Sequence, residues 1–342
     1  MVATSPSMNR ALLDYIRCPR NGSRLVLANQ DGEPVVDGEL LSTEGGHRYP
    51  VRFGVPILLA DPTEEEQFTG VNFAEQWGLF DQVGGLGEEF EEKQTAEYLH
   101  PIEMQAFSGQ LVFEAGCGYG RNLLMAQKSG AALTIGMDVG EAAFIAKRRG
   151  VDALIGDILN PPVDRERFDV VFTFGVLQHV SDPHLGFQKL FQLLKPGGLY
   201  SHSVYSLENN WFLVNLFTPA REKIFRHLPV WAKVTLSMML AVPTWLFFWL
   251  FYAPFSFSEG LNGWASKRLF YYDFAMLFVK KLGFKTWVAQ LFDHFNAPLV
   301  TYFSREQLEG WCDELALLER YYYFRNQNTW NFGGVKPKLG VD

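Results

Sequence analysis

The chain has 342 residues, long for one domain, so a main domain of ordinary size plus an appendage or insertion is expected. Its 48% hydrophobic and 20% charged residues are those of a globular protein and exclude a disordered one. The net charge of -8 speaks against a protein that grips nucleic acid by general electrostatics, which needs clustered Lys and Arg, so no nucleic-acid partner is expected.

Cys18, Cys117 and Cys312 are too few and too scattered for a disulfide framework, and Met1–Ile16 has no apolar stretch of the secretory kind. Both features fit a reducing, cytoplasmic setting. Residues 1–60 read as a small β-rich module: a short helical pattern over Asn9–Ile16, then short alternating strands broken at Asp31-Gly32 and Gly45-Gly46, then Tyr49–Leu59. Residues 61–109 are acidic and read as a helical cap. Aromatics at helical spacing over Val71–Phe80 place Trp77 either against the core or over a bound ligand.

From 110 to 205 a strand-loop-helix pattern repeats, with strands near 111–114, 133–137, 153–155, 169–174 and 199–205. Two of the intervening helices end at Gly130 and Gly150, as helix C-termini prefer. Such alternation implies a parallel sheet covered on both faces. From 206 to 303 the rhythm breaks, and Val234–Ser258 carries no charge. Residues 304–342 close the domain with a helix opened by the capping-box pattern Ser304-Arg305-Glu306-Gln307 and two strands, 317–325 and 329–333.

The chemistry concentrates at strand ends. Glu114-Ala115-Gly116-Cys117-Gly118-Tyr119-Gly120 joins an apolar strand to a helix, where glycines permit positive φ and close approach of a ligand. Asp138 ends the next strand, placed to accept from two ribose hydroxyls. Asp157 and Ile158 follow the third strand, suited to an adenine amine and ring, and Phe174 ends the fourth. A dinucleotide would bring a pyrophosphate to the loop, which Glu114 would repel. S-adenosylmethionine brings an ammonium, which Glu114 can hold, and a carboxylate, which backbone amides can meet.

These residues resemble the class I S-adenosylmethionine-dependent methyltransferases. The matching stretches are Val112–Arg121, Gly136-Met137-Asp138, Gly156-Asp157-Ile158, Phe168–Val180 and Leu193–Gly198. The resemblance implies an α/β fold: a Rossmann-like seven-stranded sheet with the small N-terminal module and a helical, aromatic-rich insertion after the fifth strand. It implies S-adenosylmethionine as cofactor, with Glu114, Gly116, Gly118, Gly120, Asp138, Asp157, Ile158 and Phe174 around it. The N-terminal module resembles the zinc-ribbon-like activator domain that accompanies some methyltransferases. Where that family carries cysteine pairs, this chain has Cys18 with Asn21, Gly45 and His47. Two ligands cannot complete a tetrahedral zinc site, so no metal is expected.

Methyl transfer from a sulfonium is an in-line displacement that depends mainly on placing the nucleophile, with a base needed only where the acceptor must lose a proton. His179 and Tyr205 are the candidate catalytic residues; His179 could instead pack the following helix, and Tyr205 could be wall. Asp293 and His294 combine an acid and a base that either orient the acceptor or form a solvated turn. The run Met238–Pro254 is long enough to cross a bilayer, but Pro243 interrupts it. Two shorter helices forming an apolar lid or a homodimer interface are expected, with peripheral membrane contact through 234–258 as the alternative. The expected acceptor is a small, apolar, aromatic or lipid-like molecule. A lipid or glycan intermediate methylated at a membrane surface, or a scaffold without chemistry, are the competing readings.

Overall fold

A computed structural model of the protein describes residues 6–28, 34–60, 88–297 and 299–338. Trp77 and most of the acidic stretch after residue 60 lie outside the described residues.

The N-terminal module is a four-stranded antiparallel sheet, β1 (Leu25–Leu27), β2 (Gly38–Ser42), β3 (Arg48–Arg52) and β4 (Val55–Pro56), preceded by a single helical turn over Arg10–Asp14 that Asn9 caps. The loop carrying Cys18 and Asn21 meets the loop carrying Gly45 and His47. A Cβ on Gly45 would lie 3.0 Å from His47 Nε2 and 3.2 Å from Asn21 Nδ2. Cys18 Sγ instead contacts Tyr49 Oη at 3.2 Å. Among the described residues no three His, Cys, Asp or Glu side chains gather to hold a metal. The module is welded to the main domain. Ile57 pairs in parallel with Ile155, and the amides of Arg17 and Asp164 bond Pro162 and Tyr15 carbonyls at 2.8 and 2.7 Å. Leu12, Ile16 and Leu58 are buried in one core with Phe113 and Leu154, each contributing about 1.5–3 kcal/mol on burial.

The main sheet has seven strands: β5 (Leu111–Ala115), β6 (Leu133–Asp138), β7 (Asp152–Ile155), β8 (Phe168–Phe174), β9 (Leu194–Tyr205), β10 (Leu318–Arg325) and β11 (Thr329–Val335). Their order is β10-β11-β9-β8-β5-β6-β7, parallel except where β11 runs antiparallel to β9 and β10. β5 is buried at every position, as a central strand covered on both faces must be. The chain leaves β5 towards β6 on one side and reaches β8 on the other, so a crevice opens at their carboxyl ends. β9 begins five residues before the expected start, because Leu194 already pairs with Phe168 across an irregularity. The capping box at Ser304 forms, with Gln307 N–H donating to Ser304 Oγ at 3.2 Å and Ser304 N–H to Gln307 Oε1 at 2.9 Å.

The insertion after β9 differs from expectation. Instead of two short helices, α6 (Val230–Phe247; α1–α5 being Glu88–Leu99, Arg121–Lys128, Ala142–Arg148, Pro183–Phe191 and Thr218–Lys223) runs through Pro243 and continues in irregular turns to Phe257. Proline removes one amide, but Thr244 Oγ1 donates to the Leu240 carbonyl at 2.6 Å and accepts from Trp287 Nε1 at 2.9 Å, which holds the turn together. α7 (Glu259–Arg268), α8 (Tyr272–Leu277) and α9 (Gly283–Asn296) complete the insertion, and Ala241, Trp245 and Phe248 of α6 and its continuation pack with Phe284, Trp287 and Val288 of α9.

Candidate functional site

The glycine loop follows β5 at the crevice. Gly116, Gly118 and Gly120 have φ of 71, 52 and 81°, conformations that side chains resist. The sequence suggests that glycine makes room for a ligand, but at two positions the protein takes that room. A Cβ on Gly116 would lie 2.2 Å from Val176 Cγ2, and one on Gly120 2.8 Å from Val151 Cγ2. The expected cradle of amides for a carboxylate is also altered. Gly116 and Cys117 N–H donate to the Met137 carbonyl at 2.7 and 3.0 Å, Gly118 N–H to Asp138 Oδ2 at 2.9 Å, and Gly120 N–H to the Cys117 carbonyl at 2.9 Å. Three of these amides bond back to β6 and that of Gly120 closes within the loop, so all four are already engaged inside the protein.

Glu114, on the last turn of β5, is 1% exposed. Asn122 Nδ2 donates to its Oε1 at 2.6 Å, and Thr95 of α1 donates to Asn122 Oδ1 at 2.9 Å. Oε2 has no hydrogen-bond partner among the described residues. Burial pushes the carboxyl up to about 8, against the pull of Asn122 and Arg121. A buried carboxylate oxygen without a partner is costly unless a cation meets it.

Asp138 ends β6 and fastens the loop: Oδ2 accepts from Gly118 and Oδ1 from Gly140 at 3.0 Å. Burial raises its carboxyl, and these two amides oppose the rise. Asp157 is half-buried and closes the turn after β7 by accepting from Leu159 N–H at 2.9 Å. Ile158 is buried in the main core. Phe174, at the end of β8, stacks on Phe172 at 4.8 Å and on Tyr98 of α1 at 5.7 Å, binding that helix over the crevice.

The second half of the site lies between the ends of β8 and β9 and the insertion. His179 is buried, and its Nδ1 lies 2.6 Å from the Leu299 carbonyl. A carbonyl only accepts, so Nδ1 carries the proton and Nε2 is the basic nitrogen. Burial lowers the His179 pKa, with the charge of Asp293 opposing. Tyr205 meets His179 edge-on at 5.9 Å and donates to Asp293 Oδ2 at 3.3 Å. Burial raises the Tyr205 phenol well above its usual range, so it stays a donor, not a base. Asp293 and His294 sit half-buried in the last turns of α9 and do not form a solvated turn. The helix carries them against Tyr205 and Phe217. A cavity beside them is lined by Tyr98, Tyr205, Tyr271, His294, Tyr302 and Arg325.

No motif or spacing singles out Arg221. It is 1% exposed, its Nε and Nη2 have no hydrogen-bond partner among the described residues, and Glu222 is 3.8 Å away. The charges of Tyr302, Asp293 and Tyr205 act on it, so it belongs to the same cluster. Gln178, beside His179, is also fully buried with both side-chain polar atoms unpartnered. Asn122 could have been found, since it lies one helical position into α2 and eight residues after Glu114.

Residues 113–201 match the family model of a methyltransferase domain. Among curated relatives, the chain is 32% identical over 129 residues to probable tRNA methyltransferase 9B of Homo sapiens, covering 33% of this chain and 28% of that protein. It is 31% identical over 136 residues to ubiquinone biosynthesis O-methyltransferase of Pseudomonas entomophila, covering 37% and 57%. The chain thus spans between about a quarter and just over half of these relatives. A solved methyltransferase of Thermotoga maritima, described as a possible histamine N-methyltransferase, aligns over 79% of this chain and 99% of its own at 16% identity, with a TM-score of 0.45.

S-adenosylmethionine is the cofactor of this domain, and the residues present fit it. The partnerless oxygen of Glu114 suits an ammonium, whose charge would favour the ionised carboxylate. Asp138 retains lone pairs for ribose hydroxyls beyond its two amide bonds. Asp157 stands one strand further along the same edge.

Proposed function

We propose that the chain is an S-adenosylmethionine-dependent methyltransferase acting on a small acceptor enclosed between the end of β9 and the insertion. The observation that carries this reading is the buried, partnerless oxygen of Glu114 at the switch point of the sheet. The methyltransferase-domain match over 113–201 supports it. Glu114 would hold the ammonium of the cofactor, Asp138 the ribose and Asp157 the adenine amine. The bound cofactor supplies an electrophilic methyl group on a sulfonium. The neutral His179 takes a proton from the acceptor where one must leave, and the Tyr205 hydroxyl positions Asp293. Arg221 favours an acceptor that carries an anionic or strongly hydrogen-bond-accepting group, because its guanidinium is buried with two nitrogens, Nε and Nη2, that lack a hydrogen-bond partner among the described residues. A net charge of -8 and a cavity walled by Tyr98, Tyr205, Tyr271 and Tyr302 support a small molecule over a nucleic acid.

Calorimetric titration with S-adenosylmethionine tests the reading. The full chain binds it, and Asp138→Ala binds at least about tenfold more weakly, the worth of one lost charge-assisted bond. A folded wild-type sample that shows no binding overturns the proposal.

A further inference from the structure

The helical run Val230–Phe257 is inside out. Its most buried helical residues are Lys233, Ser237 and Ala241, with Lys233 Nζ donating to Asn296 Oδ1 of α9 at 3.0 Å and Ser237 Oγ to the Lys233 carbonyl at 2.8 Å, while Trp245 and Phe248 lean on α9. The residues it turns outward are apolar: Trp231 is 71% exposed, Met239 68%, Leu250 67% and Phe257 87%. Only 11% of its most apolar window is buried, at a mean hydropathy of 1.8. A helix on a water-facing surface shows the opposite arrangement. Trp211, Phe212, Leu261, Trp264 and Phe270 of the same insertion are exposed as well, far more than the scattered apolar residues of an ordinary surface.

Charge decides what covers this patch. Residues 206–303 hold nine Lys and Arg against five Asp and Glu, in a chain whose net charge is -8, so the insertion is cationic and the rest strongly acidic. Lys223, Lys267, Arg268 and Lys280 are exposed, and the Arg268 guanidinium lies 5.9 Å over the Trp264 ring. A second copy docked through a two-fold axis would bring two cationic insertions together. An anionic lipid surface attracts them, while Trp at the boundary and the apolar face enter the headgroup region. Twenty-eight residues could also cross a bilayer by length, but the inner face is tied to α9 through Lys233–Asn296 and Trp287–Thr244, and crossing would drag those polar groups into hydrocarbon.

We infer that the insertion docks the protein in the plane of an anionic membrane surface, with the outward face of Val230–Phe257 buried in the headgroup region. The inference does not rest on methyl transfer, and its test does not read activity. Full-length protein is floated with phosphatidylcholine vesicles, with and without phosphatidylserine, at low and high salt. The wild type floats with the anionic vesicles, and its affinity falls about tenfold or more when phosphatidylserine is omitted or salt is raised. The double variant Trp249→Glu/Leu250→Glu, both positions exposed, loses flotation with an unchanged circular dichroism spectrum. Lys267→Glu/Arg268→Glu loses the anionic preference while keeping residual binding. Wild-type protein that stays in solution with both vesicle types overturns the inference. So does a concentration-dependent dimer, abolished by Trp249→Glu/Leu250→Glu, in protein that ignores vesicles.

Discussion

The carboxyl of Glu114, held at about 8 by burial, makes cofactor binding a proton-releasing event. At pH 7 a group with that pKa is about nine-tenths protonated, and an ammonium against Oε2 ionises it. Binding at pH 7 therefore releases about 0.9 proton, and affinity rises by roughly tenfold per pH unit from 6 towards 8. Above about pH 8 the ligand's own α-amino group begins to lose its proton and the gain stops. Titration calorimetry in buffers of different ionisation enthalpy reads the proton count directly. Glu114→Gln keeps the shape and the Asn122 contact but carries no charge. It releases no proton, shows no rise from pH 6 to 8, and at pH 8 binds about 10–100-fold more weakly than wild type. Wild-type binding that releases no proton at pH 7 and does not vary from pH 6 to 8 would refute the reasoning.

The same group sets the stability of the ligand-free protein. In the fold the carboxyl keeps a proton that the unfolded chain gives up above its ordinary value of 4.5. The folded state therefore binds more protons between about 4.5 and 8, and stability falls as pH rises through that window. The whole shift corresponds to up to about 5 kcal/mol, at 1.36 kcal/mol per unit. Glu114→Gln removes that slope, so at pH 8 the variant melts higher than wild type without ligand and loses most of the wild type's thermal gain when S-adenosylmethionine is added.

Gly116→Ala puts a Cβ 2.2 Å from Val176 at φ 71° and is expected to cost at least about 2 kcal/mol in denaturant unfolding. Adding Val176→Ala relieves the clash, so the double variant is less destabilised than the two single effects summed; additivity would show that the two do not meet. His202 is fully buried among Phe187, Tyr200 and Phe332, without a hydrogen-bond partner among the described residues, and burial lowers its pKa to about 3. The unfolded chain takes up a proton below about 6.5 that the fold refuses until about 3, so stability falls as pH drops through that window. His202→Leu flattens that fall in acid unfolding curves, and an unchanged slope would show that His202 titrates normally.

The sheet was legible because its strands are buried on both faces. Runs such as Leu111–Ala115 and Phe168–Phe174 are apolar without alternation, and the acids that end them stand out. What lay between distant segments was not legible. Gly116 reads as room for a ligand, but the atom that needs the room is on Val176, sixty positions on, and no local spacing reports it. For Asp293 and His294 the sequence leaves open an acceptor-orienting pair or a solvated turn, because their helix has no side-chain capping signal at its start. Pro243 reads as a helix break because it removes one amide, but the helix continues through it, and Trp287 of α9 ties down the next residue, Thr244.

The insertion is helical and aromatic-rich as expected, but its orientation is not legible for a deeper reason. Patterning rules assume water outside and protein inside, so a helix with no charge over twenty-five residues reads as buried or spanning. Here its most buried positions are Lys233, Ser237 and Ala241, and most of its large apolar residues face outward. The main domain breaks the usual economy in a complementary way. Buried polar atoms without a partner among the described residues include Glu114 Oε2, Gln178 Oε1 and Nε2 and Ser203 Oγ, on or just after the carboxyl-end segments of β5, β8 and β9. Native folds tolerate few such groups, and a cluster of them on the one edge where sheets of this topology bind ligands is stability given up for binding. The two departures have a common form. In each, the chain leaves a surface that its own residues do not complete, polar in the crevice and apolar on the helix, and the chemistry of what is missing reads out as an ammonium in the first and as lipid in the second.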